Sequence, residues 1–167
     1  GTAYPASLLE ATMLRIRAER EITAGRAAIL KAYYLQNSND TSLKEVMTVS
    51  LNENSTNIPY TLGRLFEIYE EVQEKANPGI NATIKDKYFN SASATPATIF
   101  PILANLCQKH LRKLDAGLGG FYEKRIGALK NVLGECYPTR LSLSEQGSFD
   151  IGYYHQKEFR YAKKEDK

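Results

Sequence analysis

Apolar residues recur three and four positions apart along most of this chain and hardly ever at every second position, so the pattern predicts helices. After Pro5, which suits a first helical turn, Leu9, Met13 and Ile16 share one face, with Arg15 and Arg17 on others. Ala27, Leu30 and Tyr34 form the stripe of a second helix from about Thr23 to Asn37, closed by the turn cluster Asn37-Ser-Asn-Asp. Residues 46–57 are polar and irregular, with one short β-like patch from Val46 to Leu51. This stretch is the expected loop, or sub-boundary, in a chain that otherwise reads as a single domain over 1–167.

Asn57 followed by Pro59 marks the start of the next helix. Its apolar face is Leu62, Leu65, Phe66, Tyr69 and Val72, and Glu67, Glu70, Glu71 and Glu74 fall on the other faces. The expectation is a helix that is acidic outside, turned away from phosphate and available for protein contact. Asn77-Pro78-Gly79 stops it. A short helix over about 81–90 carries Ile84 and Tyr88 on one side and Lys85 and Lys87 elsewhere. Thr95-Pro96 opens another, with Ile99, Leu103, Leu106, His110 and Leu114 as the expected buried stripe and Asn105, Lys109, Arg112 and Lys113 on the opposite surface. Gly117, Gly119 and Gly120 read as a break. Tyr122, Ile126, Leu129 and Leu133 then point inward, with Lys124 and Lys130 outward, until Pro138. Ser142-x-x-Glu145 is a capping box that opens a last helix through Phe149 and Tyr153. The predicted architecture is an all-α bundle of five to six helices with no significant sheet.

Composition keeps this reading within ordinary globular proteins. The chain has 167 residues, 43% of them hydrophobic and 25% charged, enough for one core without disulfides or a structural metal. No run of 18 apolar residues suggests a transmembrane helix, and no secretory signal is visible, so a cytoplasmic protein is expected. Two cysteines, Cys107 and Cys136, are too few for a disulfide framework or a zinc site and read as reduced thiols. Net charge is only +3, but its distribution is uneven. Residues 1–79 carry 8 Lys/Arg against 10 Asp/Glu, whereas residues 80–167 carry 14 against 9. Such polarity suits a polyanion on one side and protein contacts on the other.

The catalytic inventory is thin. His110 falls on an apolar stripe as a core histidine would, and His155 is expected exposed or half-buried beside Tyr153 and Tyr154. No His, Cys, Asp or Glu set has metal-ligand spacing, and Gly117-x-Gly119-Gly120 does not follow a strand as a phosphate loop would. No histidine is placed by sequence to activate Cys107. The residues therefore point away from an enzyme, a cofactor, a metal site or a small-molecule substrate. The feature with physical promise is basic. Lys109, Arg112 and Lys113, one helical turn apart, suit successive phosphates of a bound strand and give affinity without base readout. Lys124, Arg125 and Lys130 join them, with Lys85, Lys87 and Arg140 behind. Tyr88, Phe89, Tyr153 and Tyr154 are aromatic groups of the kind that stack on unpaired bases, although their commoner role is core packing.

Three segments carry a resemblance: VMTVSLNENSTNIPYTLGRLF from Val46, NPGINATIKDKYFNSASATPATIFP from Asn77, and LSLSEQGSFDIGYYHQ from Leu141. In this order they resemble the C-terminal region of the large subunit of type I-C CRISPR Cascade, the Csd-type protein. The resemblance implies a crRNA-guided surveillance complex that recognises foreign DNA and recruits a separate helicase-nuclease, with target-motif reading upstream of this region. It also implies similarity to the Cascade small subunit, which this family makes from an internal start. Met47 is the candidate start here, leaving a helical bundle over 47–167. Small subunits line the belly of the complex, so the implied partners are the Cascade backbone and large subunits, other small-subunit copies, the crRNA–target heteroduplex and the displaced DNA strand. Two readings follow. The chain is a non-catalytic clamp that holds nucleic acid by its phosphates and stabilises the R-loop, or it is a structural brace whose basic face meets acidic patches of its neighbours.

Overall fold

Local signals in the chain set where each helix begins. In the computed structural model the described residues are 50–165, and they form α1 (Ile58–Ala76), α2 (Ile84–Ala94), α3 (Pro96–Leu111), α4 (Ala116–Leu133) and α5 (Leu143–Glu165). Asn57 Oδ1 accepts the Tyr60 N–H at 2.9 Å and Pro59 sits in the first turn of α1. Thr83 and Asp86 cap α2 reciprocally, and Ser142 and Glu145 do the same for α5. Asp115 Oδ1 accepts the Leu118 N–H at 2.9 Å and opens α4. Among the described residues there is no strand, so the all-α bundle holds there. The two helices expected before residue 46, and Met47, lie outside the described residues. Residues 51–57 run non-helical into α1 and are tied to it, because Arg64 Nη1 donates to the carbonyls of Asn52 and Glu53.

Two boundaries differ from the sequence expectation. The break is not at Gly117–Gly120, which lie inside the first turns of α4; the chain turns at 112–115, and Asp115 restarts it. The short helix α2 runs on to Ala94, because it is stopped only by Thr95, which Pro96 forces out of the helical region at φ −134°, ψ 68°. Gly134, at φ 72°, ends α4. The connector that follows returns over the α2–α3 junction, where Leu141 N–H donates to Ala94 and Ala97 N–H donates to Pro138.

The helix α1 is the axis of the bundle and touches each of the other four. Every residue from Pro59 to Val72 is buried. On α4, Tyr122, Ile126, Leu129 and Leu133 face the core as the periodicity predicts. On α3 the buried set is Pro96, Phe100, Leu103, Cys107 and Leu111, while Ile99, Leu106, His110 and Leu114 are half-buried. The expected stripe was thus displaced around the helix, retaining only Leu103 at its centre. Aromatic rings fill the middle: Phe66 meets Phe89, Phe149 and Tyr153 edge-on at 5.5 to 6.0 Å.

The α1–α5 packing is backbone against backbone. A methyl group at Gly63 would stand 1.9 Å from Phe149 O, and one at Gly152 would stand 2.1 Å from Tyr60 O. Glycine is required on both sides of this crossing for space, not for backbone freedom.

Beyond the crossing, α1 and α5 are joined by charge. Lys157 Nζ lies 3.3 Å from Glu70 Oε2, whose carboxylate also accepts from Tyr153 Oη and Thr83 Oγ1 at 2.5 Å each. Arg160 reaches Glu67 at 3.2 Å, Glu71 at 3.5 Å, and Glu74. Arg125 of α4 adds a pair to Glu71 at 3.1 Å. The expected acidic outer face of α1 is therefore an interior face. Glu67, Glu70 and Glu71 are buried, and Glu74 is half-buried. Amphipathic reasoning sends charge to solvent, but here both partners of each pair enter the bundle together. Burial pushes the Glu67 carboxyl up to about 8, with Glu71 adding to the rise and Arg160 opposing it. Burial acts the same way on Glu70, but Lys157 and the Thr83 and Tyr153 hydroxyls outweigh it and hold that carboxyl below its ordinary value.

Two outcomes are expected. Gly152→Ala and Gly63→Ala each lose about 3 kcal/mol of unfolding free energy, whereas Gly120→Ala, with open space around it, gains about 0.5–1 kcal/mol; urea titrations followed by circular dichroism measure all three. The second concerns pH. Glu67 holds its proton in the folded chain and loses it in the unfolded one between 4.5 and about 8. Its stabilising contribution is complete below the unfolded value and falls as pH rises to about 8. Glu70 acts oppositely, its contribution being lost only as pH falls below 4.5 toward its folded value. His110, held below its ordinary pKa mainly by burial, opposes the Glu67 slope on the acid side of 6.5. The Tm difference between wild type and Glu67→Gln isolates the Glu67 part: the advantage of wild type shrinks steadily from about pH 5 to pH 8. A difference that stays flat across that interval contradicts the assignment.

Candidate nucleic-acid interface

The first basic cluster forms where α3 ends. Lys109 lies in its last turn, Arg112 is its C-cap and Lys113 follows in the turn, and all three are exposed. None is in an ion pair among the described residues. Lys113 Nζ donates to Asn77 Oδ1 at 2.9 Å, and Asn77 Nδ2 lies 3.1 Å from His110 Nδ1. Asn77 is also the C-cap of α1, so the cations gather where two helices present their carbonyl ends. Positive charge there offsets the helix macrodipoles, which is a structural role in itself. His110 is half-buried beside this cluster; burial, and then Lys113, lower its pKa and keep it neutral at pH 7.

The three basic residues of α4 do not share one face. Lys124 is exposed. Arg125 is half-buried on the α1 side, paired with Glu71 and lying over Phe121 at 5.3 Å. Lys130 projects ~120° round the helix from Lys124, toward α3, where its charge acts on Cys107. Arg140 is exposed on the connector over the α2–α3 junction. Lys87 is exposed above the Tyr88 ring, on an open groove of about 490 Å³ shared with Gln73, Thr83 and Leu106.

Lys85 is a correction. It is buried, not outward: its ammonium sits 4.6 to 5.0 Å from the rings of Phe89, Tyr153 and Tyr154 and donates to Tyr154 Oη at 3.0 Å. An aromatic cage stabilises a cation that has left water, and no phosphate can reach it there. The same packing removes Phe89, Tyr153 and Tyr154 from the set of stacking aromatics, since all three are core residues. His155 is likewise buried, with Nδ1 2.9 Å from Tyr60 Oη, and not exposed or half-buried.

Two residues with interface chemistry were missed. Phe121 is 51% exposed beside Arg125; its signal was its place just before the inward Tyr122. Arg64 was lost among apolar neighbours on α1 and had no sequence signal beyond its charge. Cys107 is buried, and burial pushes its thiol up to about 12 against the pull of Lys130, which makes it a poor nucleophile. Cys136 is exposed. Among the described residues no group of three His, Cys, Asp or Glu could hold a metal ion, and no helix is long and apolar enough to cross a membrane.

The family model described as CRISPR-associated protein (Cas_Csd1) matches residues 1–161, and the chain belongs to that family. No curated protein matches it.

Proposed function

We propose that this Csd1-family chain is a non-catalytic component of a type I-C Cascade surveillance complex. In this reading it works in the cytoplasm as a small-subunit-like belly element. It holds the displaced DNA strand, or the crRNA–target heteroduplex, by its phosphates and so stabilises the R-loop in antiviral defence. Its protein partners are the Cascade backbone and large subunits and further small-subunit copies.

The observation that carries this reading is the exposed Lys109, Arg112 and Lys113 cluster, unpaired with any carboxylate among the described residues. Most acidic residues of α1 are consumed inside the bundle, so they do not screen it. The cluster stands on the ends of packed helices, which fixes the spacing of the charges, and phosphate contacts of this kind position a strand without reading its bases. Lys124 and Lys87 are further exposed cations, and Arg140 stands at the other end of α3. Lys85 has no part in this surface.

Reversing Lys109, Arg112 and Lys113 together to Glu is expected to weaken R-loop formation by a reconstituted complex at least tenfold. It should also flatten the dependence of log affinity on log salt by about 2, three phosphates at about 0.7 each on a single strand. Helical circular dichroism should be unchanged. Target binding and strand protection that persist at physiological salt would contradict the clamp; a complex that falls apart without the chain would then make it a brace.

A further inference from the structure

A cleft of about 210 Å³ lies between α1, α4 and α5, and two arginines line it, Arg64 and Arg125. Arg64 is 6% exposed. Its Nε donates to Gln156 Oε1 at 3.2 Å and its Nη1 to two backbone carbonyls at 3.0 and 3.1 Å. Among the described residues it has no ion pair. Burial lowers its pKa and the Arg125 charge acts in the same direction, while Tyr60 and the Glu53 carboxylate oppose them. A buried guanidinium held in place by neutral acceptors, with a second guanidinium for a neighbour, is short of negative charge. Arg125 is partly answered by Glu71 at 3.1 Å, which Arg160 also shares, and Glu53 stands on the exposed rim. The remaining wall is apolar, with Ile68 and Val132.

We propose that this cleft is a phosphate-binding site, in which Arg64 and Arg125 take an oxyanion of the bound strand's backbone. The proposal rests on the strand-holding reading above and adds Arg64, which charge patterning did not reveal, to Arg125, which it did. Guanidinium forks match phosphate oxygens in pairs, which a lysine cannot do. The apolar wall gives the ester carbons of a phosphodiester a surface to rest on, at Ile68 and Val132. Phe121, exposed one turn before Arg125 with its ring 5.3 Å from that guanidinium, is an aromatic group of the kind on which a neighbouring base stacks.

The test uses the 167-residue chain and a fluorescein-labelled oligothymidylate. Ala128→Glu and Val132→Glu each place a carboxylate in the cleft from an exposed position and leave both arginines intact. Each is expected to weaken strand binding about tenfold with an unchanged thermal melt. Leu143→Glu, which adds the same charge at an exposed site on α5 outside the cleft lining, changes it less than twofold. If the two cleft variants bind within twofold of wild type, or no more weakly than Leu143→Glu, the cleft is overturned and the strand reading stands. If wild type itself binds no strand, the strand reading fails and inorganic phosphate reads the cleft instead. A rise in Tm with phosphate at constant ionic strength, present in wild type and absent in Ala128→Glu, keeps an oxyanion site supplied by free phosphate. No rise overturns it.

Discussion

The constraint on which this bundle depends is the approach of α1 to α5. Two helices whose backbones touch through Gly63 and Gly152 cannot slide or rotate past one another, because a Cβ on either side would stand about 2 Å from a carbonyl oxygen. Once that contact is fixed, the register of the side chains beyond it is fixed too. Phe66 then falls against Phe149 and Tyr153, and Glu70 against Lys157. Glu67 falls against Arg160. The other helices pack on this pair. The α4 stripe closes on α1, and α2 and α3 wrap the same helix from Phe89 and Phe100.

Burying that much charge is not a source of stability in itself. Removing carboxylates and cations from water costs several kcal/mol per ion, and pairing returns most of it only when the geometry is complete. Here it is nearly complete. Glu70 receives Thr83, Tyr153 and Lys157, while Glu67 keeps one oxygen, Oε2, without a hydrogen bond. Lys157 and the two hydroxyls outweigh burial at Glu70 and hold its carboxyl below its ordinary pKa, whereas at Glu67, one turn away, burial and the Glu71 charge prevail over Arg160 and push it far above. The network's contribution is to selectivity of packing. A bundle held by rings alone would tolerate a shift of α5 along α1, whereas a shift of one turn would leave several buried charges unpaired.

Helix type, starts and several ends were legible in the chain because they depend on neighbours in sequence: the Asn57 cap, the Thr95-Pro96 junction, the Ser142–Glu145 box and the Asn77-Pro78-Gly79 stop all stand where they were read. The inward stripe of α4 was legible too, since that helix buries one face. What could not be read depends on residues far apart. Amphipathicity assumes that charge marks solvent, and that assumption fails when Glu67, Glu70 and Glu71 meet Lys157 and Arg160 across 80 and more positions. Lys85 misled for the same reason, because its aromatic cage is assembled from α2 and α5. Nothing in the sequence singled out Gly63 and Gly152; their purpose exists only in the crossing. At the candidate interface, Lys109, Arg112 and Lys113 were legible as a cluster, and Arg64 was not, because an arginine in an apolar run shows its value only when its cleft is known.

The sequestered network also changes what the charge asymmetry of the chain means. The excess of Lys and Arg after residue 80 reads as one broad basic surface, but Lys85, Lys157 and Arg160 are spent inside and Arg125 is half committed to Glu71. What remains outward among the described residues is narrow: the helix-end cluster at 109–113, with Lys124, Lys87 and, at the other end of α3, Arg140 as separate exposed cations. Under the proposed strand-holding role, a surface that small would neutralise only a few phosphates, so a single copy would hold a strand weakly and release it readily as salt rises. Tight holding would then require successive copies, or neighbouring subunits, to set their clusters along one path, where each added contact acts at high effective concentration. A few charges would follow a regular polyanion only if the scaffold that spaces them did not yield, and the Lys109–Lys113 cluster is tied to the end of the rigid α1 by the 2.9 Å hydrogen bond from Lys113 to Asn77.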